Sequence, residues 1–214
     1  MAPLFALACA GLLAACGGSS NKANQPPRPP RPDFVTPRSR NNPPAPPGLG
    51  ARLPVLSDTI IATAAAPAYN SDPPTSGPHL DTAPRRGIYA NPLPSEALPA
   101  FLARGGVEVL YNASASPDVV RALTEIVNAE IDRDPGLVLL APRPQMPCQV
   151  TVTAWAQIIA FGAAGCQPGS QGHTFNAGSV DDALIRQFIE RSMCSYDPDN
   201  VCGQGPHGLP TPGG

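Results

Sequence analysis

Residues 69–79, Tyr-Asn-Ser-Asp-Pro-Pro-Thr-Ser-Gly-Pro-His, bring a phenol, a carboxylate, two hydroxyls and an imidazole into one short stretch. The side chains are those of Tyr69, Asp72, Thr75, Ser76 and His79. Proline removes backbone donors and fixes φ, so the stretch is neither a helix nor a central strand. An ordered polar loop of this kind serves as a site or as a structural clamp. His79 is the candidate metal ligand, for copper or zinc, with residues from distant loops completing the set. Its plainer role, directly after Pro78, is that of a hydrogen-bonded loop histidine. His173 and His207 lie in Gly-rich loops, and Met146 is either a soft ligand or a filler of a gap. Ser76 has no Gly-x-Ser-x-Gly elbow and no evident acid to orient a histidine, so hydrolase chemistry is disfavoured. Tyr89 and Tyr111, with Tyr69, either pack around the loop or are ordinary core aromatics.

Cysteines form the second chemical set. Cys148, Cys166, Cys194 and Cys202 are an even group, which in an exported chain is read as two disulfides. Local pairing, Cys148 with Cys166 and Cys194 with Cys202, is the preferred connectivity of the three available. The lack of a Cys-x-x-Cys spacing argues against a zinc site. Asp197, Asp199 and Asn200 form a solvated turn; the Gly and bidentate Glu of a calcium loop are missing.

The elements that must position these groups follow from pattern. Ile60-Ile61-Ala62 is a short strand or one helical turn. Ser95 opens a short helix, and Gly105-Gly106 ends it and admits a strand over residues 107–111. Ser116 as N-cap, Pro117 as first helical residue and Asp118 start the strongest helix, which Asp134-Pro135-Gly136 stops. Residues 137–140 form a buried strand, and strand–helix–strand order implies a parallel pair. Val150, Val152 and Ala154 alternate with Thr151 and Thr153, which predicts a strand with one wet face, and residues 158–161 extend it or pair back on it. A last helix starts at Ser179 with Asp182 in a capping box. The fold class is α+β: a single small mixed β-sheet, two main helices and long Pro/Gly-rich ordered loops.

The chain before the domain is different in kind. Residues 4–13 are an apolar run of signal-peptide length, and Leu13-Ala14-Ala15-Cys16-Gly17 resembles a bacterial lipobox. Cys16 is therefore the expected lipidation site, residues 1–16 the signal peptide, and more than one acyl chain the expected membrane anchor. No Lys or Arg precedes the run. Residues 17–54 are a Pro-rich disordered tether. They carry +5 of charge, leaving −7 for the rest of a chain whose net charge is −2. An acidic domain on a basic tether repels phosphate and argues against nucleic acid as partner; a lipid surface suits it better. Residues 55–214 are the domain. Export to the cell envelope follows, to the outer membrane if the cell has one.

Pro73-Pro74-Thr75-Ser76-Gly77-Pro78-His79 resembles the bacterial domain-of-unknown-function 3105 family. The likeness continues through Gly87-Ile88-Tyr89, residues 98–111 and Thr153-Ala154-Trp155. It implies an exported or membrane-anchored protein and no defined activity. It also implies a His-Asn-Leu-Glu-His pattern before the double Gly, whose histidines share a helical face suited to a metal. Here those positions hold Ala100, Phe101, Leu102, Ala103 and Arg104. An alanine coordinates nothing, and a guanidinium repels a cation. The resulting expectation is a non-catalytic binding or structural domain without cofactor, its partner an envelope protein or a small ligand. The candidate surface is Tyr69, Asp72, Thr75, Ser76, His79, Tyr89, Arg104 and Tyr111.

Overall fold

The computed structural model describes residues 49–63, 67–133, 135–172, 175, 180–198 and 200–202. The signal and most of the tether, Cys16 included, lie outside the described residues, as do His173, Ser179, Asp199 and His207. Among the described residues, no helix is long and apolar enough to cross a membrane.

The strands are β1 (Ala51–Arg52), β2 (Ile60–Ile61), β3 (His79–Leu80), β4 (Gly87–Ile88), β5 (Val107–Tyr111), β6 (Val138–Pro142), β7 (Val150–Ala154) and β8 (Gln157–Phe161). The helices are α1 (Ala97–Leu102), α2 (Pro117–Ile131) and α3 (Asp182–Ser192). Six strands form one mixed sheet in the order β1-β8-β7-β5-β6-β4, and β2 pairs with β3 in a separate two-stranded ribbon. The α+β class holds. The parallel β5–β6 pair across α2 is as expected, and β8 pairs back on β7 antiparallel. Ile60-Ile61 resolves as an edge strand, parallel to β3. The folded chain starts earlier than Val55: Leu49 is buried in the core and Ala51–Arg52 pairs with β8.

Strand alternation splits the sheet into two buried faces. Val107, Val109, Val138, Leu140, Val150, Val152, Ile159 and Phe161 join the main core. They pack with Val119, Leu123, Ile126 and Val127 of α2 and Ile185, Phe188 and Ile189 of α3. On the other face, Leu110, Leu139 and Ala141 meet Leu98 and Phe101 of α1, with Met146. Thr151 and Thr153 lie on this second face, and both are fully buried, so the expected wet face is dry. Their hydroxyls are used internally: Thr153 Oγ1 donates to Glu108 Oε2 at 3.1 Å, and Thr151 Oγ1 is bonded to Met146 Sδ.

Helix ends match the capping logic with two corrections. Ser116 Oγ accepts from Val119 N at 3.3 Å, satisfying one of the orphan donors of the first turn. The start of α1, by contrast, has Glu96 at the N-cap position with no side-chain cap; Ser95 Oγ instead accepts from Arg143. At α3 the cap is Asp181, whose carboxylate accepts from Leu184 N at 3.1 Å. Between α2 and α3, buried Glu130 accepts from Arg133 at 3.1 Å and Arg186 at 2.9 Å. Both disulfides pair locally, Cys148–Cys166 and Cys194–Cys202.

The cap at Ser116 gives a direct test. Ser116→Ala is expected to lower unfolding free energy by about 1 kcal/mol, read as a lower urea midpoint at unchanged slope. An unchanged midpoint would show that the capping bond contributes nothing.

Candidate functional site

The site is built on a hairpin tip. Ala154 faces Gln157 across β7–β8, which leaves Trp155 and Ala156 as a two-residue turn, with Ala156 at φ 55°. Trp155 continues the parity of Thr151 and Thr153, so its ring lies on the α1 face, packed with Leu102, Ala103 and Ala156. Ala156 N donates to Thr75 O at 2.8 Å, tying residues 69–79 to the tip. Two rings then converge on the indole. Tyr196 stacks on it at 4.5 Å between centroids and 7° between planes. His79 meets it edge-on at 6.2 Å and 82°, geometries favoured by the ring quadrupoles.

His79 is 4% exposed. Its Nδ1 lies 2.9 Å from Gly77 O; a carbonyl only accepts, so Nδ1 carries a proton. Its Nε2 stands 3.5 Å from Asp58 Oδ1, and Asp58 Oδ2 accepts from the Tyr196 hydroxyl at 2.7 Å. The backbone is fixed as well, His79 N donating to Thr59 O. The connected set is therefore His79, Asp58, Tyr196 and Trp155. Asp58 and Tyr196 were missed in the sequence. Tyr196 had one signal, an aromatic inside a short Cys–Cys loop; Asp58 had none.

The remaining residues divide by position. Tyr69 donates to Pro78 O at 2.7 Å, and its ring lies under Gly77, whose φ is 128° and where an added Cβ would approach Tyr69 to 3.1 Å. Burial, then the nearby Glu96 charge, push its phenol up to about 12, so Tyr69 stays neutral at ordinary pH. Ser76 Oγ accepts from Leu56 N at 3.0 Å. Thr75 is fully buried and its Oγ1 has no partner among the described residues. Asp72 is held by Arg143, which also reaches Ser95. Tyr69, Asp72, Ser76 and His79 tie the stretch down as a clamp, with Thr75 buried within it. Tyr89 packs beside the α1 cluster and donates to Arg85 O at 2.7 Å. Tyr111 belongs to the opposite face of the sheet, so it does not join the loop; strand parity sends it to the α2 side.

At the α1 positions, Ala100 is fully buried and Ala103 packs with the Trp155 cluster. Arg104 donates to Ala100 O at 3.0 Å and Asp81 O at 2.6 Å, closing the helix end with a cation where the macrodipole is negative. Met146 is core, in contact with Thr151. Asp197 accepts from Val201 N and Cys202 N at 2.9 and 2.8 Å, as a turn residue does. Among the described residues, no group of three or more His, Cys, Asp and Glu is placed to hold a metal ion.

One titratable group stands apart. Glu108, on central strand β5, is fully buried. Oε2 is bonded to Thr153, while Oε1 has no partner among the described residues. Burial pushes its pKa up to about 8, against lowering by the Thr153 hydroxyl and the Arg143 charge. The folded protein thus keeps a proton that the unfolded chain releases near its ordinary value of 4.5. The stability of the protonated carboxyl is complete below that value and is lost as pH rises through the folded pKa. Glu108→Gln is expected to match wild type at pH ~4 and to exceed it by a few kcal/mol, roughly 5 at most, at pH ~8. Parallel urea-stability profiles for the two proteins would contradict the assignment.

No curated protein and no solved structure matches the chain. A family model does, described as Protein of unknown function (DUF3105), over residues 61–202. That span takes in the ribbon from Ile61, the clamp at 69–79, both faces of the sheet, the Trp155 tip and the Tyr196 loop. By that match, which covers most of the 214 residues, the chain belongs to the DUF3105 family.

Proposed function

We propose that this protein is an exported, lipid-anchored envelope protein whose folded part is a non-catalytic binding or structural domain. The single observation that carries the second half is the pair Ala100 and Ala103, buried methyl groups in the packed layer beneath α1. The family likeness implies an imidazole and a carboxylate at these two places. Neither methyl can bind an ion or move a proton, and Arg104 at the third position is engaged by backbone carbonyls. His79 holds the clamp together. The leader and Cys16 support the first half, together with two disulfides of the kind that persist in oxidising compartments. The partner on this reading is a membrane lipid surface at the N-terminus, and an envelope protein or small ligand at the clamp surface.

A second reading has one observation in its favour. Nδ1 of His79 is anchored to a carbonyl, the arrangement that orients a metal-binding histidine, and Nε2 faces Asp58. One imidazole and one carboxylate supply two of the four protein ligands a structural zinc takes. A copper or zinc site on this ground needs two more donors, for which His173 and His207 are the candidates.

Two measurements test the proposal. Metabolic labelling with palmitate is expected to mark the wild-type chain and not Cys16→Ala, with wild type in the membrane fraction; an unlabelled, unanchored wild type would sink the lipoprotein assignment. Elemental analysis of purified wild type and His79→Ala is expected to find no stoichiometric transition metal in either. Stoichiometric copper or zinc present in wild type and lost in His79→Ala would replace the first reading by the second.

A further inference from the structure

The loop that carries Tyr196 is closed by Cys194–Cys202, only 8 positions apart in sequence. Several contacts hold this loop against the site, the bond from Gln157 Nε2 to Ser195 Oγ at 3.4 Å among them. Tyr196 stacks on Trp155 and donates to Asp58. Cys194 N donates to Gly105 O at 2.9 Å. The disulfide itself rests on Gly105, where an added Cβ would come within 2.6 Å of Cys202 Sγ. Asp197 caps Val201 N and Cys202 N. Cys194 also sits at φ 60°, a left-handed backbone that is strained for a non-glycine residue and persists only where its surroundings enforce it.

The second disulfide differs in burial, span and backbone conformation. Cys148 is fully buried, its bond spans 18 positions, and neither of its cysteines has a positive φ. A short covalent loop removes less entropy from the unfolded chain than a long one. Cys194 and Cys202 are both partly buried, whereas the other bond joins partly buried Cys166 to fully buried Cys148, so only in the first are both sulfurs within reach of an incoming thiolate. The chain thus carries one bond anchored in the core at Cys148 and one fastening whose cysteines are both partly exposed, and the loop closed by that fastening lays Tyr196 over Trp155.

We infer that Cys194–Cys202 is a thiol-operated latch, opened by an exported dithiol partner, and that opening it releases Tyr196 and uncovers Trp155 and His79. The exchange is an ordinary one. A thiolate of the partner attacks one sulfur of Cys194–Cys202, and the displaced protein thiolate takes up a proton. The partner's second thiol then breaks the mixed disulfide. Two electrons pass to the protein, which gains two thiols; the partner leaves as its own disulfide. Once the covalent loop is open, the strain at Cys194 relaxes, and only non-covalent contacts hold Tyr196 in place, among them the stacking on Trp155 and the Asp58 bond.

Trp155 is the chain's single tryptophan, which makes the latch directly visible. The full chain is equilibrated in graded dithiothreitol. Free thiols are located by alkylation and mass spectrometry, and tryptophan emission is followed in parallel. Cys194 and Cys202 are expected to be alkylated at lower dithiol than Cys148 and Cys166, with an equilibrium constant larger by on the order of tenfold or more. Trp155 emission is expected to shift to the red in step with that first reduction, while far-UV circular dichroism holds. Reduction of both disulfides together with loss of secondary structure would overturn the inference. So would opening of Cys194–Cys202 with Trp155 emission unmoved. Tyr196→Ala keeps the covalent loop and is expected to reproduce the red shift without reductant; an emission identical to wild type would show that Tyr196 does not cover the indole.

Discussion

The contact on which the rest of this structure depends is the seat of Trp155 at the tip of the β7–β8 hairpin. Three segments far apart in sequence meet there. The clamp at 69–79 reaches the tip through Ala156 N and Thr75 O and through the His79 edge. The end of α1 reaches it through Leu102 and Ala103, and the 194–202 loop through the Tyr196 ring. Large aromatic groups suit this task because one ring presents two faces and an edge, each with its own preferred partner. Here a face is taken by Tyr196, and the His79 ring meets the indole at nearly a right angle.

The layer beneath α1 is where the fold accepts polar cost. Thr75 Oγ1, Glu108 Oε1 and Trp155 Nε1 are the buried side-chain atoms without a partner among the described residues. Glu108 and Thr153 face this layer by strand parity, Trp155 packs in it, and Thr75 is bonded to its neighbour Ala156. The opposite face of the sheet is aliphatic and aromatic, sealed by α2 and α3. The two faces thus divide the work: one supplies hydrophobic stabilisation, the other carries polar groups at a cost of roughly 1–3 kcal/mol for each left unmatched. Methyl groups at Ala100 and Ala103 keep that layer packed without adding further charge.

Much of the fold was legible because the signals were local. Ser116-Pro117-Asp118 marks the start of α2 whatever surrounds it, and an apolar strand on either side of that helix implies a parallel pair. Short Cys spacings led to the right disulfides. What failed was whatever depended on a distant neighbour. The alternation at Thr151 and Thr153 shows two faces without saying what covers the polar one; α1 and Met146 do. Tyr111 shares its residue type with Tyr69 and Tyr89, but strand parity puts it on the other face. Asp58 and Tyr196 bond across 138 positions, and no local pattern reports such a pairing. The clamp residues Tyr69, Ser76 and His79 were found from their density alone, and their roles came only from partners such as Pro78 O and Leu56 N.

On the proposed reading His79 fastens the loop through Gly77 O and binds no ion. Nitrogen-resolved NMR of the His79 imidazole, followed during addition of zinc to the oxidised full chain, tests it most directly. The expected result is a proton held on Nδ1 by Gly77 O and resonances of both ring nitrogens that stay in place past one equivalent of zinc. Movement of the Nε2 resonance that saturates at one equivalent would contradict it.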